Sequence, residues 1–208
     1  NFGADLTIME EGYELIDRVK NSGVLPQITS CCSGWVNYCE EYYPELLPNL
    51  SSAKSPMMMQ GAITKTYTAE KLSIDPERIY SVAIMPCTAK KGEIDRDGKH
   101  AFSSGCKDVD LVLTTREIAR LISRYGINFA YLSESAADSP IGEYTGAGTI
   151  FGATGGVMEA AVRTAYSVLE GKELDDLNLS AVRGLAEVKS GEVEAGGTKL
   201  RVAVVHGM

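Results

Sequence analysis

The chain has 208 residues, 44% of them apolar, enough for one sizeable core or two small ones. Twenty lysines and arginines against 28 aspartates and glutamates leave a formal charge of −8, which argues against nucleic acid or an anionic membrane as a partner. No apolar run approaches the roughly 18 residues that a membrane span requires, and no secretory leader is visible.

Residues 4–20 predict a helix. At about 100° per residue, Leu6, Ile8, Met9, Leu15, Ile16 and Val19 share one arc, with Glu11, Glu14 and Arg18 opposite. Asn21 and Gly23 stop it. Residues 25–29 read as a short strand, 34–43 as a helix ended by Pro44, and 56–72 as a helix that begins near Pro56. Residues 78–85 (RIYSVAIM) and 109–114 (VDLVLT) are buried-strand candidates, and Thr115 opens a helix through about Arg124. Residues 92–107 read as a polar surface loop, and 138–152 are too glycine-rich to be regular. A helix from about Thr154 to Leu169 is closed by Gly171, and 180–189 and 198–205 form a strand pair around EAGG. Nothing caps that last strand, so the domain is expected to continue beyond Met208. The alternation predicts an α/β fold of mixed, largely parallel sheets flanked by helices.

Five cysteines, an odd number, argue against a disulfide framework and for reduced thiols that bind metal, do redox chemistry or are simply buried. Cys31 and Cys32 follow the strand candidate 25–29, and Cys87 follows 78–85. Both sites thus lie at strand C-termini, where α/β folds place ligands and where thiolates can hold an iron–sulfur cluster. Adjacent cysteines point apart in extended chain, so Cys31 and Cys32 do not readily share one iron. Spacing alone leaves ordinary burial equally open, and no CxxC zinc pattern is present.

The phrases around these cysteines decide more. TSCCSGW (29–35) resembles the first signature of iron-only (FeFe) hydrogenases, usually TSCCPxW. MPCTAKKGE (85–93) matches the second, MPCxxKxxE, at every fixed position. NLSSAKSP (49–56), ADLTIMEEGYELI (4–16) and the glycine-rich run 142–166 are similar to the family as well. The resemblance covers essentially the whole chain. It implies part of the two-lobed catalytic domain that interconverts protons and electrons with H₂ at the H-cluster, a 4Fe–4S cubane joined to a two-iron unit with CO, cyanide and a bridging dithiolate. By motif position Cys32 and Cys87 would be two of the cubane's four ligands. The other two belong to a third, CxxxC-containing signature that these residues do not include, so the 208 residues alone are expected to be inactive and largely apo.

The resemblance further implies that Cys31 passes protons to the dithiolate and that Glu11, Ser51 and Glu14 carry them to solvent, with Arg18 holding the outer carboxylate ionised. On the helix alone, an ordinary solvated ion pair worth about 0.3–0.5 kcal/mol explains the same residues. Lys90 would donate to a cyanide, a charge-assisted bond, with Glu93 in the same motif. Pro56, Met57, Met85, Phe151, Gly152 and Val157 would line a dry pocket. Without the resemblance Met85, Phe151 and Val157 are core residues and Gly152 a backbone necessity. Two positions depart from the family: Ser33 replaces a proline that fixes φ, and Met57 stands where a glutamine is usual. Cys39, Cys106, His100 and His206 match no site, and GATGGV lacks the residues of a phosphate loop.

The expected partners are H₂, protons and an electron carrier such as ferredoxin acting through accessory cluster domains. The expected location is cytoplasmic, with export open. Two rival readings come from different classes: an H₂-sensing regulatory homologue, and an iron–sulfur assembly protein of the same fold. Cys31 speaks against the sensor, and the intact second signature against the assembly protein. A thiol redox module ranks last, because it would need a CxxC.

Overall fold

The computed structural model describes residues 2–172 and 187–205. The chain divides into two compact units, Asn1–Pro56 with Tyr144–Met208, and Met57–Glu143. It is a mixed α/β fold, with one parallel and one antiparallel strand pair among the described residues.

In the first unit α1 (Phe2–Lys20) lies against α7 (Gly146–Phe151) and α8 (Gly156–Glu170). Ile8, fully buried, meets Ala160 and Ala161 of α8, and Ala147, Ile150, Phe151 and Val157 close over them. The small residues let the helices approach closely. A Cβ on Gly12 of α1 would already touch Thr164 of α8 at 3.4 Å. The other side of α8 carries Met158 and Val162, which pack on Val193, Val202 and Val204 of the hairpin β3 (Val188–Ala195) and β4 (Thr198–Val205). Gly196 and Gly197 turn that hairpin with φ of 58° and 71°, a conformation glycine adopts without cost. The strand expected over 180–189 begins at Val188, and 180–186 lie outside the described residues. The glycine-rich stretch does contain regular structure, because Thr145 caps α7 by accepting from Ala147 N. Instead of a strand at 25–29 there is a single parallel bridge, Ile28 to Leu50.

The second unit begins inside α3 (Pro56–Ile63), which runs through a π-helical turn (Thr64–Thr68) into α4 (Ala69–Leu72). The hydroxyls of Thr64 and Thr66 bond back to the carbonyls of Gln60 and Ala62 at 2.7 Å, competing with the regular helical ladder there. β1 (Val82–Met85) and β2 (Leu111–Thr114) pair in parallel, Val82 opposite Leu111 and Met85 opposite Thr114. Both are shorter than the sequence suggested. α5 (Lys90–Glu93) follows β1, and α6 (Thr115–Arg124) follows β2. Thr114 caps α6 in a capping box with Glu117. The core joins Met57 and Met58 to Ile94, Ala101, Val109 and Val112, with Ala83 and Met85 against it. Ile94 and Ala101 fall in the stretch read as a surface loop, so that loop is partly core. Buried Lys65 reaches Asp110 at 2.8 Å, and Asp110 accepts Ser81 N at 2.6 Å, tying the strand pair to the helix.

Candidate active site

The first unit brings together four of the residues singled out in the sequence. Glu11 is fully buried, although the helical pattern placed it on the polar arc, while Met9 of the apolar arc is 49% exposed. The reason is tertiary: segments 27–30 and 50–54 lie across that face of α1. Gln27 Nε2 donates to the Glu11 carbonyl at 3.0 Å, Ser30 N to Glu11 Oε1 at 3.4 Å, and Thr7 Oγ1 to the Lys54 carbonyl at 2.9 Å. Burial pushes the Glu11 carboxyl up to about 7; the Ser30 N–H opposes this, Glu14 adds to it, and the Ser51 hydroxyl opposes it. Its Oε2 is buried with no hydrogen-bond partner among the described residues.

Ser51 Oγ donates to Glu14 Oε2 at 2.7 Å and accepts Ala53 N at 3.1 Å. Glu14 also accepts Ser52 N at 3.0 Å. Arg18 forks onto Glu14 Oε1 through Nε at 3.1 Å and Nη2 at 2.7 Å. The same guanidinium donates to the Leu50 carbonyl at 2.7 Å and the Val24 carbonyl at 3.1 Å. The pair is therefore only partly solvated, unlike the surface pair the helix alone suggested.

Cys31 is half-buried and Cys32 exposed. Cys32 is the N-cap of α2 (Ser33–Tyr42), its Sγ accepting Trp35 N at 3.4 Å. Ser33 occupies the first helical position, where a proline would also fit, so the family's proline is not needed to start this helix. Asp5 accepts Thr145 Oγ1 at 2.9 Å and Gly148 N at 2.6 Å, holding the start of α7 to α1. Phe151 and Val157 pack on the Ile8 core, and Gly152 is exposed. A Cβ on Gly156 would lie 1.7 Å from the Ile150 carbonyl oxygen, so only glycine fits there.

In the second unit Cys87 is half-buried, two residues past β1. Lys90 is buried and pairs with Glu93 at 2.6 Å. Lys91 pairs with Glu117 at 2.8 Å, and that contact, followed by bonds from Thr114, holds the Glu117 carboxyl down at about 2. Met57 and Met85 both belong to the apolar core of this unit.

Residues 1–208 match the family described as iron only hydrogenase large subunit, C-terminal domain. The chain belongs to this family.

It is 53% identical over 208 residues to the periplasmic [Fe] hydrogenase large subunit of Nitratidesulfovibrio vulgaris, covering 99% of this chain and 49% of that one. It is 52% identical to iron hydrogenase 1 of Clostridium pasteurianum, covering 100% of this chain and 36% of the relative. A cytosolic Fe-S cluster assembly factor of Xenopus tropicalis is 31% identical over 84% of this chain and 38% of its own length. The fold is similar to apo [FeFe]-hydrogenase HydA1 from Chlamydomonas reinhardtii, with a TM-score of 0.81, 42% identity, and coverage of 99% of this chain and 59% of that one. The chain thus spans half or less of the length of these curated relatives. No described helix is long and apolar enough to cross a membrane.

The family implies an iron–sulfur cofactor, and the side chains suit one in part. Each unit offers an accessible or half-accessible thiol beside a helix start, and thiolates are the usual ligands of iron–sulfur clusters. Among the described residues no three candidate ligands converge, so a four-thiolate set is not complete within them. The helical pattern had no means of finding Asp5, Gln27 or the Ser30 N–H, which act across long sequence separations. Trp35 was visible inside the first signature but was assigned no role.

Proposed function

We propose that this chain supplies the proton-handling part of an iron-only hydrogenase that interconverts H₂ with protons and electrons. The observation that carries the reading is the series Glu11, Ser51 and Glu14. It combines a buried carboxyl titrating near 7, a bridging hydroxyl, and an outer carboxylate held by Arg18. A proton donor works best when its pKa lies near the working pH. A proton on Glu11 can pass to Ser51 Oγ while the Ser51 proton passes to Glu14 Oε2. Cys31, half-buried beside this series in sequence, is the thiol that exchanges protons with the reacting centre.

Cys32 and Cys87 would hold the cubane, with two further thiolates from outside these residues. The H-cluster, when bound, supplies the redox chemistry of H₂. Lys90, three residues after Cys87 and paired with Glu93, would bond an anionic cyanide. Pro56, Met57, Met85, Phe151, Gly152 and Val157 would form the apolar surround that keeps water from the metal. In support, Met57 and Met85 belong to the core of the second unit, and Phe151 and Val157 pack on the Ile8 core of the first. Electrons would come from a carrier such as ferredoxin through further cluster domains. With two of four thiolates, the 208 residues alone hold no stable cluster and are inactive. The chain's location is cytoplasmic in this reading, although the Nitratidesulfovibrio relative is named periplasmic.

The test is H₂ evolution from a chemically reduced dye by the full-length protein with its two-iron unit installed, with Cys31→Ala beside it. Brisk evolution that collapses in the variant supports a catalytic hydrogenase using this path. Slow evolution with the CO and cyanide infrared bands intact points to a sensor. Absence of those bands from a protein that still binds a cubane points to an assembly protein.

A further inference from the structure

One turn beyond Cys32 stands a buried donor with no acceptor. Trp35 is the chain's single tryptophan. Its backbone N–H already donates to Cys32 Sγ at 3.4 Å, and its indole Nε1 is buried with no partner among the described residues. An indole N–H can only donate, and a buried donor left unsatisfied is unfavourable. Side chains on a helix lean toward its N-terminus, and residues three apart share a face. Trp35 stands in the first turn of α2, three residues after the Cys32 that caps it. The ring neighbours Tyr38, with centroids 6.3 Å apart, which restrains it on α2.

We propose that Trp35 Nε1–H donates a hydrogen bond to an anionic sulfur of the iron–sulfur cluster ligated by Cys32, and so helps set that cluster's reduction potential. The inference rests on the reading of Cys32 given above. A donor aimed at cluster sulfur favours the reduced state, which carries more negative charge, and raises the potential. Among the buried side-chain polar atoms without partners in the described residues, Glu11 Oε2 belongs to the proposed proton series, and Trp35 Nε1 lies three residues from a proposed ligand.

Ultraviolet resonance Raman spectra of the full-length protein, before and after loading with iron and sulfide, test this. Subtracting the Trp35→Phe spectrum isolates this indole. The band sensitive to indole N–H bonding should move to its hydrogen-bonded position on loading, and the cubane of Trp35→Phe should be reduced at a lower potential than that of the wild type. A band that stays in place in a protein with full iron–sulfur absorption overturns the proposal. So does an unchanged potential in Trp35→Phe. If the variant does not fold, the wild-type spectra still decide. A protein that gains no iron–sulfur absorption at all refutes the Cys32 reading itself, and the absorption spectrum tells that failure apart.

Discussion

Ser51 Oγ donates to Glu14 Oε2 across 2.7 Å, although 37 residues separate them. The Ala53 N–H donates to the same hydroxyl at 3.1 Å, and the Ser51 hydroxyl opposes the upward push of burial on the Glu11 carboxyl. That hydroxyl thus ties the segment after Leu50 to a carboxylate that an arginine also holds.

The Glu11 carboxyl should make stability depend on pH. Its ordinary value is 4.5 and its folded value about 7, so between the two the folded state holds the proton more tightly. Its contribution is fully present below 4.5 and is lost as pH rises toward 7, up to an amount on the order of 3 kcal/mol. Glu11→Gln should flatten this slope. Thermal melts at pH 5 and pH 8 read it, at about those values. Equal losses in wild type and variant would show that Glu11 is not the titrating group.

Ser51→Ala should leave the cofactor in place but cut the proton series. In the loaded full-length protein we expect turnover to fall by about 10²-fold or more, the scale on which a positioned proton-transfer group acts. The infrared bands of the two-iron unit should not change. Turnover within about twofold of wild type would mean that protons travel elsewhere.

Arg18→Lys keeps the charge but loses the fork. The guanidinium serves Glu14 and the carbonyls of Leu50 and Val24 together, which one ammonium cannot do. Urea unfolding should show a loss of about 1–3 kcal/mol, more than an exposed pair would cost.

Gly61→Ala tests the core of the second unit. The new Cβ would lie 2.6 Å from the Asp108 carbonyl oxygen and from Val109 Cγ2. Alanine is the better helix former by about 1 kcal/mol, but overpacking costs about 1–3 kcal/mol, so a net loss is expected in calorimetry. A rise in melting temperature would show that this contact relaxes freely.

Much of the fold could be read from local pattern. α1, α2, the long helix from Pro56, α6 and α8 appear where periodicity and caps put them, because those signals act within a few residues. The failures have one cause. The strand at 25–29 is only a bridge because its partner is the single residue Leu50, and α7 forms inside a glycine-rich run because Asp5, 140 residues away, satisfies its first turn.

The same division holds for the site. The sequence by itself determined the family and the candidate thiols, since those follow from contiguous signatures at Cys31, Cys32 and Cys87. Only the tertiary structure decided that Glu11 is buried rather than solvated, that Ser51 touches Glu14, and that the Trp35 indole has no acceptor among the described residues. Helical periodicity assigns a residue to a face but does not say what covers that face. The segments 27–30 and 50–54 turned an apparently ordinary ion-pair face into a covered one, with Glu11 buried beneath them.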